Sequence, residues 1–540
     1  MSIPIQSQGR TKAPLRAAFL APRSSGPTFL LAALASACLL TSAYLLVSPG
    51  LAWAQIVPLK TVPVASGDQF LLFPSQNLAM GSVSVALPDT LGDPFRSPAT
   101  GSRIQESVFF ASPTFYGISN RNGSGRSLPV GVLFRSGDWF SGAAFALQEL
   151  KGAERDQWWP MWWEVDRAPS FSSFSPPPIP GQDLSEASAR NLYAFGLLGR
   201  RLPRWGISAA VSVSYADLGA VDGVDLLYAQ SLKIEQSGHA SDVRLGILKE
   251  WQDGGSLELV LLRNSLRMRH DVSYLNFVVE PMPPDTVPLP AWRTRVEENL
   301  DHTDTWGAHA AFRKPLAPGG WSLGWSFTGN RKDHPKIPNY EIQNIPRDPG
   351  DTWAWGLGVG VAKTEGPARF AADLILEPIR SHTWADLPFD TVSVMGDLIE
   401  AGDKTVENDF AFTNVLIRTG GSWDYRTATF RAGLQIRSIA YELDQFDLIQ
   451  VRRRKQEETW MEWTPSAGVS LALPGLALHY VIRSTTGTGR PGTRWTDARM
   501  AESGAFDLAS ADIILAPSGP LTLQDARVTT HQLSLVVPMR

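Results

Sequence analysis

The chain has 540 residues, 43% of them hydrophobic and 19% charged, with a formal net charge of −4. With 19 Trp and 24 Phe it is aromatic-rich and charge-poor beside soluble globular proteins, whose charged fraction averages about a quarter. So small a net charge offers no electrostatic basis for nucleic-acid binding, and the single Cys, Cys38, excludes disulfides, thiolate catalysis and Cys-held metals from any product lacking the stretch around it.

At the N-terminus, Arg10, Lys12, Arg16 and Arg23 precede an apolar run from about Phe29 to Val47, and Ala52-Trp53-Ala54 offers a small-x-small cleavage site before Gln55. Residues 1–54 therefore read as a signal peptide. The alternative is an uncleaved anchor, since the run is long enough to span a bilayer. No later segment offers about 20 consecutive apolar residues, so a membrane-embedded product must be a closed sheet.

From about residue 108 onward, apolar-alternating segments are joined by connections that are short, long, short, long. Short ones fall at Gly137-Asp138, Pro203-Arg204, Gln252 to Gly255, Ala317 to Gly320, Thr364 to Pro367, Gly420-Gly421-Ser422-Trp423 and Pro474-Gly475. Long ones fall at 149–191, 217–240, 269–303, 330–350, 378–407, 442–457 and 485–527. Such alternation is expected of an up-and-down barrel whose two rims face different compartments. Period-2 alternation supports it. Ile207, Ala209, Val211, Val213 and Tyr215 oppose Ser208, Ala210, Ser212 and Ser214, and Trp353, Trp355, Leu357, Val359 and Val361 oppose Ala354, Gly356, Gly358 and Gly360. In Phe430, Ala432, Leu434 and Ile436 against Arg431, Gly433, Gln435 and Arg437, two arginines fall on the lumenal face.

The predicted fold is all-β: a transmembrane antiparallel up-and-down barrel of about 14–16 strands over 107–540, preceded by a hatch or periplasmic segment at 55–106. Trp139, Trp205, Trp251, Trp321, Trp353, Trp423 and Trp460, at strand ends, are expected to form interfacial girdles. About 50 mature residues before the first strand are too few for the large plug of an energised siderophore-type transporter.

The segment Asn77-Leu78-Ala79-Met80-Gly81-Ser82-Val83-Ser84-Val85-Ala86-Leu87-Pro88-Asp89, followed by Asp93-Pro94-Phe95-Arg96-Ser97-Pro98-Ala99, resembles the pre-barrel segment of the long-chain fatty-acid transporter family of outer membranes. There a small-residue stretch leads through acidic residues to Asn-Pro-Ala; Ser97 stands in place of the Asn. The hairpins at Leu128 to Ala146, Asn191 to Asp217 and Asp242 to Asp271 extend the resemblance to about residue 275. It implies a hatch, with Asp89, Asp93, Pro94, Phe95 and Pro98, folded into the barrel. It also implies a greasy capture site on external loops and sideways release of cargo into the membrane, in an outer-membrane protein without cofactor.

Candidate site residues follow. Trp158, Trp159, Met161, Trp162 and Trp163 crowd the first large loop, where leaving them in water would be costly. They bury against the barrel mouth, lipid headgroups, a ligand or the loop itself. Val224, Leu227, Tyr228 and Leu232 are spaced for one face of a short helix, and the two loops together would form a surface groove. Arg431 and Arg437 could pair with a carboxylate head group, with lumenal acids, or face water. Arg452-Arg453-Arg454-Lys455 suggests a solvated rim meeting lipopolysaccharide phosphates.

Catalytic motifs are few: no His is followed by Glu as a zincin helix needs, and no Gly-Lys pair offers a phosphate loop. His479 and His531, on neighbouring predicted strands, are the pair to check. Three functions remain open: passive passage of hydrophobic small molecules, a structural or adhesive barrel with partner-binding loops, and a barrel enzyme. Expected partners are outer-membrane lipid and lipopolysaccharide, hydrophobic small-molecule cargo and the barrel-assembly machinery.

Overall fold

The computed structural model describes residues 60–152, 188–224, 233–279, 290–316, 319–333, 350–386, 390–491 and 523–539. The calls on Trp158, Trp159, Trp162, Trp163, Leu227, Tyr228 and Leu232, and on the signal segment, lie outside them.

Sixteen strands form one closed antiparallel barrel. The first, β1, comes in two pieces, Val108–Ala111 and Thr114–Ile118, that keep one register against both neighbours. Pro113 causes the break, since it has no N–H to give the ladder. There follow β2 (Ser124–Ser136), β3 (Trp139–Lys151), β4 (Ser188–Leu202), β5 (Ile207–Leu218), β6 (Lys233–Glu250), β7 (Ser256–Val279) and β8 (Pro290–Leu316). The second half is β9 (Trp321–Asp333), β10 (Gly350–Glu365), β11 (Ala368–Asp386), β12 (Lys404–Tyr425), β13 (Ala428–Asp447), β14 (Arg452–Leu473), β15 (Leu476–Pro491) and β16 (Leu523–Pro538). Each strand pairs with its chain neighbour, and β16 returns to β1 to close the ring. All backbone ladders are thus internal, as hydrocarbon requires.

The outer face is apolar. Phe145 and Leu147, Leu245 and Ile247, Leu259 and Leu261, Trp325 and Phe327, and Leu374 and Leu376 are exposed large hydrophobics at alternating positions. Strand β9 shows the height of this band: it begins at Trp321 and reaches its first outward charge at Arg331, ten residues on. At about 3.4 Å per residue and a tilt of about 40°, those ten steps rise roughly 26 Å, the height of the apolar band of a membrane barrel. Trp139, Trp205, Trp251, Trp321 and Trp423 ring the short-turn end, and Trp306, Trp353 and Trp463 stand at the other, all exposed. Trp460 departs from the expected girdle. It faces the lumen and stacks on Tyr441 at 5.6 Å, beside Phe410, Phe412 and Ile379.

Three expected connections are strand instead. Gly420-Gly421-Ser422-Trp423 lies within β12, and the turn comes at Arg426, whose φ is 55°. The 269–303 stretch is mostly ladder, paired as far as Val279 with Pro290, and 442–457 is paired as far as Asp447 with Arg452. These strands project past the hydrocarbon band, where outward positions carry charge, so the apolar alternation ends while the hydrogen bonding continues. The Arg452-to-Lys455 run belongs to such a projection, with Arg453 and Lys455 both paired to Asp444.

Purified protein should need detergent to stay dispersed and should migrate faster on gels unboiled than boiled. Monodisperse behaviour in plain buffer with no heat shift would contradict the membrane barrel.

Candidate functional site

Residues from Lys60 to the start of β1 fill the barrel, and almost none of this backbone has a sheet or long-helix partner. Only a 3₁₀ turn at Asn77–Met80, one helical turn at Asp93–Arg96 and a 3₁₀ stretch at Pro98–Arg103 are regular. A buried irregular chain must still satisfy its N–H and C=O groups, and here the wall does so with side chains. Asn414 donates to Lys60 O (2.6 Å), Thr488 to Pro63 O (2.7 Å), Gln148 to Gln69 O (2.5 Å), Gln532 to Phe73 O (3.2 Å), Arg244 to Arg96 O (2.8 Å) and Arg135 to Ile104 O (2.9 Å).

At Ser84–Val85 the grip is ionic. Asp373 accepts from both backbone N–H groups (2.7 and 3.2 Å), while Arg313 donates to both carbonyls at 3.0 Å. Charge-assisted bonds of this kind are roughly twice as strong as neutral ones.

The wall lacks side chains where the hatch passes. A Cβ on Gly360 would sit 2.8 Å from Val85 Cβ, one on Gly468 would sit 2.7 Å from Ala79 Cβ, and one on Gly433 would collide with the backbone of Met80 and Gly81. Gly420 faces Met80 in the same way. That is why Gly420 sits inside β12 rather than at a turn. On the hatch side Gly81, with φ 67°, presses against the carbonyls of Thr419 and Leu434.

Within the hatch, Asp89 is the organiser. Its carboxylate accepts from Ser75 Oγ (2.7 Å) and from the backbone N–H groups of Asn77 (3.2 Å), Leu91 (3.2 Å) and Gly92 (3.1 Å). Its own N–H donates to Asp93 (2.9 Å). Burial pushes the Asp93 carboxyl up to about 7; Arg313 opposes this, while Asp89 and Glu258 reinforce it. Pro94 opens the helical turn, and Phe95 is stacked on Phe73 at 3.8 Å and edge-on to Phe110 at 5.5 Å. Each such pair contributes about 1 kcal/mol beyond area burial. Pro98 is buried near Gly246 of the wall.

Beside the hatch lies a cavity of about 420 Å³. Arg96, Arg244, Arg313 and Arg418 line it, with Asp89, Asp93, Glu258, Glu377 and His309 between them. Arg244 is held by Asp242 (2.8 Å), and His309 Nδ1 meets Thr328 Oγ1 at 3.1 Å. A smaller apolar pocket of about 40 Å³ adjoins Phe73, Phe95, Tyr193 and Phe195. The wall there is unbroken: β2 and β3 pair from Ser124 with Lys151 through Ser136 with Trp139.

Of the arginines singled out in the sequence, Arg437 faces Glu377 at 3.6 Å, and Arg431 bonds Ser470 and reaches Gln76 of the hatch at 3.5 Å. Sequence reading passed over Arg244, Arg313 and Arg418. Their signal was available, since each occupies a lumenal position in an alternating strand. His479 and His531 do not meet: His479 binds Ser470 on the lumenal side (2.6 Å), and His531 binds Tyr480, which faces outward (2.9 Å). Among the described residues no group of three or more His, Cys, Asp or Glu is placed to hold a metal ion.

No family model matches the sequence, and no curated protein matches it. Several of the solved structures similar to the chain are toluene transporters or FadL-related. The Pseudomonas putida toluene transporter TodX is 12% identical over 89% of this chain and 100% of that one, with a TM-score of 0.37. A Pseudomonas aeruginosa FadL homologue is 11% identical over 89% and 100%, with a TM-score of 0.39. A ferric enterobactin receptor mutant from Pseudomonas aeruginosa is also similar, at 9% over 80% and 81% and a TM-score of 0.30.

Replacing Gly433 by Leu should unseat the hatch and leave the barrel closed. Limited proteolysis should then cut within residues 60–106 while the heat shift on gels persists. The raised Asp93 pKa gives hatch docking a pH dependence. The docked state binds the proton more tightly than the released one, so docking is strongest in mild acid and weakens as pH rises from about 4 through about 7. Hatch cleavage should be faster at pH 8 than at pH 5.5, and Asp93→Asn should flatten the difference.

Proposed function

We propose that the protein is an outer-membrane transporter that passively admits hydrophobic small molecules, with cargo bearing a polar or anionic end favoured. The observation that supports this reading is the hatch itself, an irregular internal barrier bordered by a cavity of about 420 Å³ that four arginines line among four carboxylates. A guanidinium ring suits a carboxylate-like head, and the adjoining Phe73, Phe95, Tyr193 and Phe195 suit an apolar body. The short-turn rim would face the periplasm. The Trp158, Trp159, Trp162 and Trp163 loop would be the capture surface, followed by Leu227, Tyr228 and Leu232. Sideways release would require a strand pair to part, because the β2–β3 ladder is continuous.

The test is uptake into proteoliposomes of a fluorescent long-chain carboxylate and of a neutral hydrocarbon probe. Entry of the carboxylate should rise several-fold over empty vesicles, exceed that of the hydrocarbon, and fall when residues 155–180 are deleted. Unchanged entry of both probes would overturn the proposal. Loss of cell adhesion with uptake intact in the deletion would assign that loop to an adhesive barrel instead.

A further inference from the structure

The lipid-facing wall carries a cationic ring at its short-turn rim. Arg200 ends β4 and is exposed, Arg204 sits in the exposed turn Pro203–Trp205, and Lys249, Lys314 and Lys363 occupy outward positions near the ends of β6, β8 and β10. Arg426 occupies the β12–β13 turn. Of these six only Lys363 has an ion-pair partner among the described residues, Glu365.

The rim's other acids are mostly turned away. Glu250 points to Arg103 of the hatch (2.9 Å), and Asp424 accepts from Thr429 (2.7 Å) and Arg369 (3.4 Å) on the lumenal side. Glu106, just before β1, and Asp138 and Asp253, in turns, are the remaining acids at this level among the described residues.

The cations are mounted on the aromatic girdle. Arg200 lies over Trp139 at 5.2 Å, Lys363 over Trp321 at 5.5 Å and Arg426 over Tyr425 at 5.3 Å, while Lys249 donates to the Trp205 carbonyl. A ring under a guanidinium fixes its plane and leaves N–H edges free for an acceptor. The opposite rim is built differently. Its outward cations are largely neutralised, as in Arg267–Asp304 (3.0 Å), Arg269–Glu298 (3.0 Å) and Arg453–Asp444 (2.5 Å).

We propose that this ring binds the phosphates of anionic phospholipids in the leaflet at the short-turn rim. Position selects the partner: at the level of an interfacial Trp girdle, the outside of a barrel touches lipid headgroups, whose anionic group is the phosphate. The inference rests on the membrane reading of the barrel and is independent of what the lumen transports.

The protein is reconstituted in nanodiscs of phosphatidylcholine with a minor share of phosphatidylglycerol. It is then released into neutral detergent, and retained lipid is measured by native mass spectrometry. Phosphatidylglycerol should be enriched over its share in the disc, and raised salt should reduce the enrichment. Each cation near an anionic surface strengthens attraction by about fivefold, so the combined Arg200→Gln, Arg204→Gln, Lys249→Gln and Lys314→Gln variant should lose the enrichment. The same variant should keep its gel heat shift, which shows that the barrel is intact.

An opposite-rim control, Arg267→Gln with Asp304→Asn, should retain the enrichment. Equal retention of both lipids by the native protein, or enrichment unchanged in the fourfold variant, overturns the proposal. A native protein that enters no disc overturns the membrane reading and the ring with it, whereas failed uptake of cargo leaves this result standing.

Discussion

The structure depends on hydrogen bonds that run from the wall of the barrel to an irregular chain inside it. A closed sheet satisfies its own backbone completely, but a segment threaded through its lumen brings N–H and C=O groups that no ladder can take. Here the partners are side chains set around the ring: Asn414, Thr488, Gln148, Gln532, Arg244, Arg135, and the Asp373 and Arg313 pair at Ser84–Val85. Because these bonds are short, the chain must lie close, and the glycines at 360, 433 and 468 are what allow it. The hatch seat is thus written into wall residues far away in sequence.

This arrangement explains what could and could not be read from residues alone. Alternation in β5, β10 and β13 was plain because lipid on one side and a polar lumen on the other impose opposite chemistry on successive residues. Strand number followed for the same reason. Gly420-Gly421 misled because glycine signals both turns and close approach, and only the position of Met80 tells the two apart. The projecting ends of β7, β8, β13 and β14 misled because charge above the hydrocarbon looks like loop. Trp460 looked interfacial, yet a tryptophan at a strand end can point either way, and its register with Ile439 turns it inward.

The candidate site was legible only in part. The hatch residues Asp89, Asp93, Pro94, Phe95 and Pro98 were marked only by the resemblance of their segment to a known pre-barrel stretch. The arginines they meet come from separate strands, so no spacing could have joined them. The resulting lumen is charged rather than greasy, with Arg244 against Asp242 and Arg437 near Glu377. Paired charges line much of it, and hydrophobic character is gathered in clusters such as Phe73–Phe95, Phe410–Tyr441 and Leu72–Met268.

The divided first strand has a bearing on how the molecule is made. Its two pieces, of four and five residues, meet β16 across the widest separation in the chain, Val108 opposite Pro538. Every other wall pairing joins strands adjacent in sequence, and such local contacts form early and cheaply. Closing the ring must await synthesis of the last strand and then rests on a short pairing that a proline interrupts. The β1–β16 junction is therefore the pairing that becomes available last, and the place where a nascent cylinder stays open until the whole wall is present.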